Sequence, residues 1–193
     1  MRAGYSVDAG ARMKHGHEVG GSAVSWASCL GYHDDDGSRR LYVQVSIIPG
    51  AGGSLITTGR AGKAGVERAE VAMSWIHANA AFLAGQIGME SLLRPLRSTN
   101  HGIHLHLLPS CDSHSPEVLG VTIAIALLSL AAGRFPSEDV AVLGELRLDG
   151  ARSLLITGLN KSLVERCPAQ GIKILYIGEQ QVGGFGLDSS GCF

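Results

Sequence analysis

The longest apolar stretch, Val118 to Ala132, does most to limit the folds open to this chain. It carries no charge and is interrupted only by Gly120, Thr122 and Ser129. A bilayer span needs about 20 consecutive apolar residues, so the stretch is short for a membrane and reads as a buried core helix. Pro116 or Glu117 opens it, proline being tolerated in a first helical turn. Around it, Ser22 to Leu30 and Leu41 to Ile48 alternate in the manner of strands, with the turn-rich tract Tyr32 to Arg40 between them and Pro49-Gly50 ending the second. Ser54 to Thr58 and Ile103 to Leu108 are further short strands. A long helix is expected from about Ala64 to Ala84, because Val66, Ala69, Met73, Ile76 and Ala80 recur at three- and four-residue steps.

Further on, Val140 to Leu148 reads as a strand pair or a bent strand, and Leu154 to Ile156 as a short strand. Lys161 to Arg166 fit a helix stopped by Pro168, and Ile172 to Ile177 form a last strand. Strands and helices are mixed without a regular β-α-β alternation, which favours α+β, with mixed sheets and packed helices. One domain, residues 21–178, is expected between a flexible N-terminal arm, 1–20, and a flexible glycine- and serine-rich tail, 179–193.

Composition narrows the function. The balance of 16 basic and 17 acidic residues supplies no general field for nucleic acid or an anionic membrane, and 5% aromatic residues offer few stacking platforms. The four cysteines, Cys29, Cys111, Cys167 and Cys192, are irregularly spaced and form no C-x-x-C pair, so they read as free thiols of a reducing compartment. The first residues contain no apolar segment of a secretory signal; Arg2, Arg12 and Lys14 offer only a weak organelle-targeting pattern. Cytoplasm or an organelle matrix, a mitochondrial one included, is the expected location.

Several short motifs occur in order. Glu18 to Trp26 reads E-V-G-G-S-A-V-S-W, and Ile47 to Gly59 reads I-I-P-G-A-G-G-S-L-I-T-T-G. Glu67 lies just inside the long helix; His104 and His106 form H-x-H; Gly144-Glu145 and Gly150 mark two turns. This succession resembles the proteolytic domain of the Lon family, the Ser/Lys peptidase module of ATP-dependent Lon proteases, over nearly the whole of residues 20–178. The resemblance implies the Lon proteolytic-domain fold, which some ribosomal and nucleotide-handling proteins share, a hairpin at the P-G-x-G-x-L-x-x-T-G motif, and assembly into rings. It assigns His104, His106, Glu145 and Gly120 to shaping the site.

The departures from the family pattern cluster where catalysis occurs. The family's D-G-P-S-A-G stands here as S-P-E-V-L-G at 115–120, which puts Val118 at the place of the nucleophilic serine. The threonine that helps hold the catalytic lysine is replaced by Leu143. Lys161 takes the lysine position in a gapless reading; a one-residue slip puts Ser162 there. A Ser/Lys dyad needs a hydroxyl within reach of an amine neutralised by desolvation, with backbone N–H donors at the helix start for the oxyanion. Without an oxygen at 118 the lysine has nothing to activate.

The same region carries residues suited to other chemistry. Ser113 and Ser115 as displaced nucleophiles would break the spacing to Gly120, and Cys111 has no thiol-protease spacing. His104, His106, Cys111 and His114 imitate a zinc set, but the family carries H-x-H without a metal, so no metal or cofactor is expected. The stretch T-T-G-R-A-G-K-A at 57–64 fails the phosphate-loop pattern at Thr57 and Ala64. The D-D-D run at 34–36 reads as a solvated hairpin tip. The favoured reading is therefore a Lon-type domain without peptidase activity, acting as a structural or interaction module. Its partners would be copies of itself or subunits of a larger complex, with an ATPase partner where ATP is involved, and neither a membrane nor nucleic acid by itself. The alternatives are an active Lon-like endopeptidase, ATP-dependent or stand-alone, that degrades unfolded proteins, and a peripheral component of a ribonucleoprotein particle.

Overall fold

The alternating segments pair first. In the computed structural model, which describes residues 24–33, 37–59, 62–87, 100–108, 119–149 and 165–177 together with Leu96, β1 (Val24–His33) and β2 (Gly37–Pro49) form a long antiparallel pair. The strands run through most of the tract read as a turn: His33 faces Gly37 in register, and only 34–36, outside the described residues, join them. Two further strands complete the sheet, β3 (Leu55–Thr58) and β4 (His101–Leu108), in the order β1-β2-β4-β3.

β4 is antiparallel to β2 and parallel to β3. The glycine-rich stretch after β2 therefore closes no hairpin, contrary to the expectation for residues 47–59, because β4 inserts between β2 and β3. The loop is instead pinned to the approach of β4, with the Gly50 N–H donating to the Asn100 carbonyl (2.8 Å) and the Gly53 N–H to the His101 carbonyl (3.1 Å).

Strand alternation sorts the two faces of this sheet. One carries Ala27, Cys29, Leu41, Val43, Val45, Ile103 and Leu105, all buried. Helix α3 (Leu119–Ala132), the described part of the long apolar stretch, touches β1 and β2, and α1 (Gly62–Ala78) packs against α3. The apolar helix is thus enclosed between sheet and outer helix, which explains why Leu119, Ile123, Leu127 and Leu130 are all buried. The opposite sheet face carries Trp26, Ser28, Arg40, Tyr42, Gln44, Ser46, His104, His106 and Thr58.

Three expected elements are divided or shortened relative to their sequence pattern. The helix expected over Ala64 to Ala84 divides at Asn79 into α1 and α2 (Ala80–Ile87). There the Asn79 side-chain amide donates to the Trp75 carbonyl (2.9 Å), beside the backbone bond from the Asn79 N–H (3.0 Å), a local competition that distorts a helix. Val140 to Leu148 yields only β5 (Val140–Val142), which pairs in parallel with β6 (Ile174–Tyr176). Beyond β5 the carbonyls of Val142 and Gly144 turn to α3, so no strand ladder continues. β6 begins later than Ile172 because a 3-10 turn, Pro168–Gln170, closes on Gly171, and the Ile172 N–H bonds the Cys167 carbonyl (3.0 Å). The readings of Leu154 to Ile156 and of the helix before Arg166 fall almost wholly outside the described residues.

The two sheets are joined through Arg40. Its guanidinium donates to Ser28 Oγ (2.9 Å), to the Val140 and Gln170 carbonyls (3.3 Å each) and to the Glu138 carbonyl, and it lies over the Tyr42 ring. Ser28 Oγ in turn donates to the Val140 carbonyl at 2.7 Å. Cys29 and Cys167 are buried and in no disulfide. Burial pushes the Cys29 thiol up to about 12 and the Cys167 thiol up to about 11.

Candidate functional site

Two described groups carry the residues expected to shape a site. The first is the start of α3 with the chain that follows β5. A helix leaves its first N–H groups without internal partners, and here two neighbouring groups of that first turn are used by residues 142–144. The Val121 N–H donates to the Gly144 carbonyl (3.1 Å), and Thr122 Oγ1 donates to the Val142 carbonyl (2.9 Å). The chain passes so close that a Cβ on Gly120 would lie 2.8 Å from the Leu146 backbone nitrogen, so only glycine fits without movement. Val121 is therefore no free oxyanion donor.

Leu143 stands in this passage. It is 2% exposed, part of the main apolar core, and its N–H donates to the Tyr176 carbonyl (2.8 Å). Glu145 pairs with Arg68 of α1 at 2.6 Å, both side chains about a quarter exposed. Glu67, the acidic residue noted in the same helix, is exposed. Arg68 had not been singled out from the sequence; nothing in its local spacing reports a partner 77 positions away.

The second group lies on the polar sheet face. His104 and His106, two apart on β4, do share a face, and Thr58 of β3 sits between them. Its Oγ1 is 2.9 Å from His104 Nε2 and 2.6 Å from His106 Nδ1. The rings are 6.3 Å apart between centroids. Opposite them on β2 stand Ser46 and Gln44. Thr58 was legible only as part of the T-G motif, because its place beside His106 depends on the parallel pairing of β3 with β4. Among the described residues, no hydrogen bond or ion pair joins Glu145 to either histidine.

Val118, Lys161, Ser162, Cys111, His114, Ser113, Ser115 and Glu117 lie outside the described residues. Among the described ones, no three His, Cys, Asp or Glu side chains gather as a metal set would require, and no helix is long and apolar enough to cross a membrane.

An α+β chain with this central helix, this H-x-H strand and this G-E turn matches the sequence profile of the Lon protease C-terminal proteolytic domain over residues 10–183. The chain belongs to that family. It is 34% identical over 143 residues to the peroxisomal Lon protease homolog 2 of Rattus norvegicus, a match covering 73% of this chain and 16% of the relative. With the same-named protein of Bos taurus it shares 36% over 116 residues (59% and 13%), and with the Lon protease of Mycolicibacterium smegmatis 33% over 128 residues (66% and 15%). The matches thus span only about a seventh of those relatives' length.

Proposed function

We propose that this chain is a Lon-type proteolytic domain that has lost peptidase activity and serves as a structural or interaction module in a larger assembly. The observation that carries the reading is the paired loss of oxygen: valine at 118 and leucine at 143, where the family uses a nucleophilic serine and a lysine-supporting threonine. Leu143 is sealed in the core, so its side chain contributes hydrocarbon and no proton acceptor to whatever lies beside it. Lys161, at the family's lysine position, then lacks both the hydroxyl it would deprotonate and the one that would orient it. Removal of a nucleophile leaves at most the residual rate from binding and oxyanion contacts.

As a module the domain would retain the family's assembly surface and associate with copies of itself or with other subunits, an ATPase among them. Buried thiols outside any disulfide at Cys29 and Cys167 fit a reducing compartment. Hydrolysis of unfolded casein, with Lys161→Ala as the control, tests the reading. The expected result is no turnover above the control. Turnover abolished by Lys161→Ala would establish an active endopeptidase and overturn the proposal.

A further inference from the structure

One hydroxyl serves two histidines on the polar sheet face, and that fixes more than their positions. Thr58 Oγ1 carries a single proton and two lone pairs, whereas a neutral imidazole has one N–H and one bare nitrogen. With both rings neutral, Thr58 can donate to only one of them, and the other must present its N–H to the oxygen. Two arrangements keep the Thr58 proton between the rings; a third, with both rings donating to the oxygen, would put N–H donors at both contacts. Either Thr58 donates to His106 Nδ1 while His104 Nε2–H donates to Thr58, or every direction is reversed and both rings carry their proton on Nδ1.

The distances separate the two. Hydroxyl donors tend to make shorter bonds than N–H donors, whose typical length is about 2.9 Å. The 2.6 Å contact is to His106 Nδ1 and the 2.9 Å contact to His104 Nε2.

We infer that Thr58 is the positioning residue of the H-x-H strand, coupling His104 and His106 as a pair of Nε2–H tautomers and leaving one acceptor, His104 Nδ1, and one donor, His106 Nε2–H, outside the shared hydrogen bonds. The inference rests on the three side chains alone and holds whichever way the casein assay falls. Thr58 is exposed on β3, and valine keeps its shape and its strand preference, so Thr58→Val removes the shared proton with little other change. On this coupling a hydrocarbon at position 58 would leave each ring free to choose its tautomer and rotate.

Long-range 1H–15N spectra of the histidine-labelled full chain, recorded above the usual histidine range of about 6.5, test it. In the unmodified chain both rings should show the Nε2–H pattern, with His106 Nδ1 displaced by the hydrogen bond it accepts. Thr58→Val should move that Nδ1 resonance and let tautomers mix, and Thr58→Ser should restore the original spectrum. A purely structural role would not be rescued nitrogen by nitrogen. An Nδ1–H signal for His106 in the unmodified chain overturns the assignment, even if Thr58→Val fails to fold. So does a Thr58→Val spectrum that superimposes on the original.

Discussion

Leu143→Thr introduces a threonine where the proposed function puts the lysine-supporting residue, and its effect on stability reports what lies beside position 143. Leu143 is 2% exposed, so the exchange removes roughly two CH₂ equivalents of buried surface, about 1.6 kcal/mol at about 0.8 kcal/mol each. The new hydroxyl adds about 1–3 kcal/mol if it is buried without a partner, for a total of roughly 3–4.5 kcal/mol. If the gapless alignment is right, the Lys161 amine is that partner, and a hydrogen bond to a charged group offsets about 2 kcal/mol. Urea unfolding followed by the fluorescence of Trp26 and Trp75 measures both terms when Leu143→Thr is made alone and with Lys161→Met. The substitution should cost about 2 kcal/mol in the first background and about 4 in the second, a coupling of about 2 kcal/mol. A coupling within about 0.5 kcal/mol of zero would refute the placement of Lys161 beside position 143. A cost below about 1 kcal/mol in both backgrounds would refute the burial reasoning itself.

Other expectations follow from the same packing. Arg40→Met strips the joint between the two sheets of its four hydrogen bonds and should lower the unfolding free energy by about 3–5 kcal/mol, with Arg40→Lys recovering only part; a loss under about 1 kcal/mol contradicts this. Gly120→Ala gains up to about 1 kcal/mol of helix propensity but forces α3 away from Leu146 at a cost of about 1–3 kcal/mol, so Tm should fall by a few degrees, and a rise would contradict the close approach. Cys29 and Cys167 should resist alkylation until the chain unfolds. Burial raises their folded pKa values above the ordinary thiol value of 9.0, to about 12 and about 11, so the folded state holds the thiol protons more tightly. Their contribution to stability is full below pH 9 and is lost as pH rises from there towards 12, visible as a falling urea midpoint.

Elements whose signal is local were readable before any coordinates. The apolar run became α3, the alternation of Leu41 to Ile48 became the core of β2, and the order of motifs gave the family. What escaped depended on distant partners. The period of α1 continues past Asn79, but a side-chain amide bonding back to Trp75 interrupts it. The residues from Val142 on look strand-like, yet the Val142 and Gly144 carbonyls are taken by Thr122 and Val121 of α3. The P-G-A-G-G turn suggested a hairpin because nothing in its own residues reports that β4 enters between β2 and β3. The same long-range pairing hid Thr58 beside the histidines, Arg68 beside Glu145, and Arg40 as the link between sheets. Of the site itself, the residue types were legible and their neighbours were not.

The account is tested most directly by treating the intact chain with a serine-directed fluorophosphonate and mapping any adduct by peptide mass analysis. A hydroxyl activated by a neutral lysine reacts with such a reagent, whereas ordinary turn serines do not. The account predicts that no serine is modified above the level seen with Lys161→Ala. A stoichiometric, Lys161-dependent adduct on any serine, whether Ser113, Ser115, Ser162 or another, would contradict it.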